Sequence, residues 1–499
     1  MVSLKERLLK EIRKPRLMFE KRTDTKKSSR QRPGQKRQPR AEWIRLDNAS
    51  KIFPPNHNSI DTKVFRLTCE LAEVVDPEIL QQAADQTYRA YPLLQYVLRR
   101  GVFWYYLEKY NLEPVVLEES QGVCAPIYKE EQRDLLFRIN YYGRRINMEI
   151  FHVLTDGTGA FHLFQDLLYR YLILAHPAEN GKRIEPPTDG ASLNQLMQDS
   201  FRSYYGGKVG ELPQAEQKLK EEGHKRSLQL DPPKEPEKLP RHAVQLKGRY
   251  NPDYQLKLIE GKVSVKAVLD LAHEEGVSLS VYLGALLMQS LDAQVPVRKK
   301  GSIVIQVPVN LRQYFPSRSA RNFFSTINVG YDFSQKQLGM KGLTDTLEQQ
   351  FRHELTADNM QKRLNRLMWI ETFPLARIVP TLIKDPVLKI AHRISDLRVT
   401  STFSNLGRIS FPKELSHHIK GFSVTTSARC LQVTCCTWGD DLVLSFSTPY
   451  QETEAVRAFF TALTGRGIDV VITSNTDLQS DELTPSSRNV APDKRGERV

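Results

Sequence analysis

Residues 145–175 change their hydrophobic period partway along. LLFRINYYG (135–143) and RINMEIFHV (145–153) read as a β-hairpin turning at Gly143-Arg144. From about Gly159 to Ala175, Phe161, Phe164, Leu168 and Leu172 fall on one side of a helix. Between the two periods stands His152-Val-Leu-Thr-Asp156-Gly157. A strand that runs into a helix through so short a turn belongs to a mixed α/β architecture. It also puts a histidine at a strand end, where its ring can enter a crevice between layers.

The chain is 499 residues long, more than one compact core usually holds, so two domains are expected. Hydrophobic residues make up 40% and charged residues 26%, the balance of a soluble globular protein. No apolar run reaches the roughly 18 residues of a membrane span, and no secretory core follows the basic start. Cys69, Cys124, Cys430, Cys435 and Cys436 are scattered and odd in number, with no zinc spacing. Reduced thiols and a cytoplasmic location are expected, with peripheral association at the inner face of a membrane left open.

The net charge of +14 is unevenly placed. Residues 1–40 hold 15 Lys and Arg against 4 Asp and Glu, while the other 459 residues hold 57 against 54. The basic arm suits an anionic membrane surface, and Leu4, Leu8, Leu9 and Ile12 give its start helical spacing. A solvated arm is the other reading. The nearly neutral body argues against nucleic acid as the main partner.

Five segments are expected: a basic arm (1–42), an N-terminal subdomain (43–205), a Pro- and charge-rich linker or crossover (206–253), a C-terminal subdomain (254–475) and a polar tail (476–499). VFRLTCEL (64–71) reads as a strand, 76–99 as a helix and GVFWYYLEK (101–109) as a strand. The second half opens with helices at 263–276 and 280–293 and strands at 302–312 and 323–333. Residues 340–394 read as mostly helical, followed by strands at 399–407, 430–438 and 442–450. A helix at 452–464 and a strand at 468–473 complete it.

A neutral imidazole can take a proton from a hydroxyl or thiol and so activate a nucleophile, provided its tautomer is fixed. From the residues alone, a satisfied core histidine beside an ordinary Asp-Gly turn reads equally well. The wider pattern resembles the chloramphenicol acetyltransferase-like superfamily of CoA-dependent acyltransferases. His152-Val-Leu-Thr-Asp156-Gly157 matches its HxxxDG signature. FRLTCELAEVVDPEILQQAADQTYRAYPLL (65–94), VPVNLRQYFPSRSARNFFS (307–325) and STFSNLGRI (401–409) are similar to further segments in the same order. The likeness spans residues 43 to 475.

The resemblance implies two α/β subdomains with mixed sheets and an active-site tunnel between them. His152 would be the general base on a hydroxyl acceptor. Asp156 and Gly157 would be structural, with Arg312 as the partner of Asp156. Ser404 and Asn405 would contribute oxyanion or substrate contacts, or simply end a strand. The implied co-substrate is an acyl-CoA, acetyl-CoA first among them, with a hydroxyl-bearing small molecule or lipid as acceptor. No bound cofactor or metal is implied, and a monomer is expected.

Phe151 stands where condensation domains carry a second histidine, and no DFGWG-like segment follows near 400–440. No carrier or adenylation domain accompanies the resemblance. These departures leave the stand-alone alcohol acyltransferases closest, beside the polyketide-associated acyltransferases and condensation-domain-like proteins. The alternative is a non-catalytic protein of the same fold that binds a lipid or acyl thioester and is tethered by its basic arm. His162, the Cys435-Cys436 pair and His417-His418 read as packing or surface residues, the last pair without further metal ligands.

Overall fold

The computed structural model describes residues 42–177, 191–206, 239–240, 242–334 and 339–475. The basic arm up to residue 41, most of the 206–253 segment and the 476–499 tail lie outside them. The described strands are β1 Trp43–Arg45, β2 Val64–Leu71, β3 Tyr96–Arg100, β4 Tyr105–Lys109, β5 Leu117–Glu118, β6 Phe137–Tyr142, β7 Arg145–Phe151, β8 Lys257–Ser264, β9 Ser302–Asn310, β10 Phe324–Asp332, β11 Ser401–Arg408, β12 Ile419–Thr426, β13 Gln432–Trp438, β14 Asp441–Thr448 and β15 Val471–Ser474. The helices used below are α1 Phe53–Asn56, α2 Pro77–Ala90, α3 Gly157–Ala175, α4 Leu279–Asp292, α5 Ala357–Thr372 and α6 Thr381–Asp396. Among the described residues no helix is long and apolar enough to cross a membrane.

Two mixed sheets each carry a core. The first runs β12-β2-β7-β6-β5, and the second runs β10-β9-β11-β13-β14-β8-β15. The β5–β6, β9–β11 and β11–β13 pairs are parallel, and the other pairs in these sheets are antiparallel. A third sheet, β1-β4-β3, has three strands. Ile146, Met148 and Ile150 on β7 are fully buried in the first core, as are Leu163, Phe164, Leu167 and Leu168 on α3. The period change at residues 152–157 is therefore a real passage from sheet to helix.

β12 follows β11 in the chain but joins the first sheet beside β2, and the next strand, β13, is back in the second. The first core thus takes residues from both halves of the chain. β13 runs along the seam: Cys435 points into one core and Cys436 into the other. All five cysteines are buried and unbridged, as their scatter suggested.

Two sequence-based boundaries are corrected. The helix expected over 76–99 ends at Ala90, because Tyr91 precedes Pro92 and takes an extended conformation (φ −118°, ψ 94°). Its last residues become β3, and the strand expected over 101–109 shortens to Tyr105–Lys109 behind an exposed turn at Val102–Trp104. β12 has no counterpart in the sequence reading, since Lys420-Gly421 interrupts its alternation and carries a register shift.

A charged row crosses the first sheet just before the histidine. Glu149 on β7 lies opposite Arg66 of β2 and Arg138 of β6. Its carboxylate is fully buried, accepts from Arg66 Nε at 2.8 Å and from the Cys124 amide at 2.7 Å, and also pairs with Arg138. Removing one partner of such a cluster strands the others without water. Glu149→Ala is expected to lower the unfolding free energy by about 3–5 kcal/mol in urea titration. A loss below about 1 kcal/mol would mean the row is solvated.

Candidate active site at the end of the central strand

His152 follows β7 directly, and its amide donates to the Lys63 carbonyl at 2.9 Å. The ring is enclosed by aromatics. Phe53 of α1 stacks on it at 4.4 Å between centroids with 20° between planes, and Phe65 and Phe324 approach at 5.0 and 5.5 Å. Nδ1 lies 3.1 Å from Asn322 Oδ1. The Asn322 amide nitrogen donates to the His152 carbonyl at 3.0 Å and to Ser50 Oγ at 2.9 Å. A carbonyl only accepts, so the orientation of Asn322 is set and Oδ1 must face the ring. Nδ1 then carries the proton, and Nε2 is left with its lone pair. Burial pushes the His152 pKa below the ordinary 6.5, against upward pulls from its own carbonyl, Asp156 and Asn322. The imidazole is therefore neutral at pH 7.

Asp156 caps α3. Oδ1 accepts from the Gly159 amide at 2.8 Å, the ordinary task of an Asp at this position. Oδ2 accepts from Arg312 Nη1 at 2.8 Å and from the Phe323 amide at 2.7 Å. Arg312 in turn donates through Nη2 to the carbonyls of Ser319 and Arg321, at 2.8 and 2.7 Å. The aspartate and arginine side chains are only 6% and 8% exposed, so the pair is buried and its hydrogen bonds satisfied. It holds the 310–323 segment against the turn, and Asn322 is the neighbour of the Phe323 it grips. Gly159 is needed for the fit: a Cβ there would stand 2.3 Å from the Ala320 carbonyl oxygen.

The ring faces a cavity of about 460 Å³. Its wall includes Gly157, Ser404 and Asn405, so the structure brings these to the same space as His152 and Asp156. Asn405 already uses both ends of its amide, donating to Ser280 Oγ at 3.1 Å and accepting from the Gly407 amide at 2.8 Å. Gly407 has φ +80°, a conformation that favours glycine. A polar lining continues over the strands as Gln306 and Asn310 of β9, Thr402 and Ser404 of β11, and Gln432 and Thr434 of β13. Each pair is separated by an even number of residues and so shares a strand face. That alternation was available in the sequence, where β9 reads simply as a buried strand.

Asn322, Ser50 and Phe53 were not singled out by sequence reasoning. Asn322 does stand in the Asn-Phe pair of the 307–325 segment, which is the one local signal for it. His418 is also corrected: its ring stacks on His176 at 3.7 Å and 14°, and Glu73 brings a carboxylate oxygen within 4.8 Å of their nitrogens. Parallel rings direct their lone pairs side by side rather than toward one point, which is a poor arrangement for a metal.

Arg312→Ala would leave the Asp156 carboxylate buried without its cation. The expected cost is about 3–5 kcal/mol of unfolding free energy, read by urea denaturation. An unchanged midpoint would show that the amides of Gly159 and Phe323 suffice alone.

No family model matches the chain, and no curated protein matches it by sequence. Solved structures do. The polyketide synthase associated protein 5 of Mycobacterium tuberculosis superposes with a TM-score of 0.54 at 14% identity, over 84% of this chain and 96% of that one. The TRI3 trichothecene 15-O-acetyltransferase of Fusarium sporotrichioides gives 0.55 at 10% identity, over 85% and 94%. A form of the starter condensation domain of rhizomide synthetase RzmA, solved with C8-CoA, gives 0.52 at 14% identity, over 86% and 98%. Spread over nearly the whole of each partner, these superpositions establish that the chain shares the two-subdomain, chloramphenicol acetyltransferase-like fold of these structures.

Proposed function

We propose that the protein transfers an acyl group from a coenzyme A thioester to a hydroxyl acceptor, with His152 as general base. The observation that carries this reading is the imidazole held by Asn322 at the cavity wall. Nδ1 is occupied by Asn322, burial depresses the pKa, and the ring borders a cavity of about 460 Å³. That volume is within the roughly 300–1,000 Å³ of small-molecule sites. The fold adds support, since two of its solved examples are named as an O-acetyltransferase and as a condensation domain holding C8-CoA.

In the proposed reaction Nε2 takes the proton of the acceptor hydroxyl as its oxygen attacks the thioester carbonyl carbon. The tetrahedral oxyanion needs a donor, and the Ser404 hydroxyl on the cavity wall is the one proposed. Collapse re-forms the carbonyl and breaks the carbon–sulfur bond. The departing thiolate recovers the proton from the His152 imidazolium, giving an ester and free coenzyme A. Asp156 and Arg312 touch no reacting atom in this scheme. They position the segment that bears Asn322.

The test is release of free coenzyme A from a panel of acyl-CoAs, with and without mixed alcohols. His152→Ala is expected to lower turnover by about 10²–10⁴-fold, the usual contribution of a general base. Full turnover in that variant would rule out the mechanism. An enzyme that folds normally but releases coenzyme A from no donor would favour a lipid- or thioester-binding role for the cavity.

The pH profile is a second check. The base must be neutral, and its pKa is lowered from 6.5. The acid limb of kcat/KM should therefore be centred below pH 6.5, as the imidazole takes up a proton. An acid limb of kcat/KM centred at or above 6.5 would show that the group in control is not this histidine.

A further inference from the structure

α6 is turned inside out. Thr381, Asp385, Leu388, His392 and Asp396 recur at three- and four-residue spacing, so they form one stripe of the helix. That stripe faces the body, although four of its five members are polar. Thr381 Oγ1 donates to the Gly101 carbonyl at 3.0 Å. Asp385 accepts from Arg100 at 2.8 Å and from the Tyr105 hydroxyl at 2.9 Å. Asp396 pairs with Arg429 at 3.1 Å.

The opposite face is apolar and open. Leu382, Ile383, Val387, Ile390 and Ile394 are 75%, 58%, 59%, 60% and 52% exposed. A surface helix ordinarily does the reverse, with its aliphatic stripe against the core. The patch extends beyond the helix. The Thr381 amide donates to the Val102 carbonyl at 2.8 Å, which sets the exposed Val102, Phe103 and Trp104 beside its first turn. A contiguous apolar surface of this kind marks an interaction site.

Charge selects the occupant. Both acids of α6 point inward, and the exposed charges along and just beyond it are Lys389, Arg393 and Arg398. Aliphatic side chains interleaved with cations and edged by aromatics suit the interface of an anionic bilayer. A second copy of this chain would bring the same cations face to face. We propose that α6 and the Val102–Trp104 turn dock the protein on an anionic lipid surface. The helix also lines the cavity through His392, Ser395 and Asp396. Docking would therefore hold the cavity wall about one helix diameter, roughly 10 Å, from the lipid.

The test does not depend on catalysis. The full-length protein is sedimented with vesicles of phosphatidylcholine alone and of phosphatidylcholine mixed with phosphatidylglycerol. Wild type should bind the mixed vesicles. The double substitution Ile383→Asp and Val387→Asp should weaken partitioning by about tenfold or more, with an unchanged circular dichroism spectrum. Ile390→Ser, a milder change on the same face, should move it the same way. Equal partitioning of wild type and both variants would overturn the inference and assign binding to the basic segment 1–40. Absence of wild-type binding would overturn it too, as would a dimer in analytical ultracentrifugation that the double substitution dissolves.

Discussion

A single carboxylate with almost no access to water, that of Asp156, decides where the rest of the site stands. Burying an ionised group costs several kcal/mol unless its lone pairs are met. Here they are met by three donors from two stretches of chain: the Gly159 amide of its own helix, and the Arg312 guanidinium and Phe323 amide of the 310–323 segment. The histidine turn and the 310–323 segment cannot move apart without uncovering that charge. Because Asn322 precedes Phe323, the clamp that satisfies the aspartate also delivers the side chain that orients His152. Stability and chemistry are joined through one residue step.

The imidazole itself is poised by opposing effects. Enclosure by Phe53, Phe65 and Phe324 disfavours the charged ring, while the Asn322 oxygen and nearby Asp156 favour it. Burial prevails, so the ring is held in its basic form. An aspartate bonded directly to Nδ1 would have raised the pKa, as in a charge-paired triad. With both Asp156 oxygens committed elsewhere, a neutral amide takes that place. The arrangement suits a base that must be free near neutral pH and must give its proton back to a thiolate.

Much of this was legible locally. The change of period around His152, the Asp-Gly turn and the Gly-Thr-Gly helix entry lie within a few residues of one another, so their geometry follows from the backbone rules of strands and caps. Arg312 could be named only through the family resemblance, since it lies 156 residues from Asp156. Asn322, 170 residues from His152, had no chemical label of its own. β12 was missed because its partner strand β2 is remote in sequence and Gly421 breaks its pattern. α6 shows a different limit. Its periodicity predicts a helix but cannot say which face is buried, and the structure buries the polar one.

Asn322 fixes His152 with its proton on Nδ1, and burial keeps the ring neutral. Nitrogen NMR of the histidine-labelled protein across a pH titration tests this most directly, with His152→Ala to assign the resonance. The expected result is the Nδ1-protonated tautomer at pH 7 and a titration midpoint below 6.5. A resonance from the Nε2-protonated tautomer, or a midpoint at or above 6.5, would contradict it.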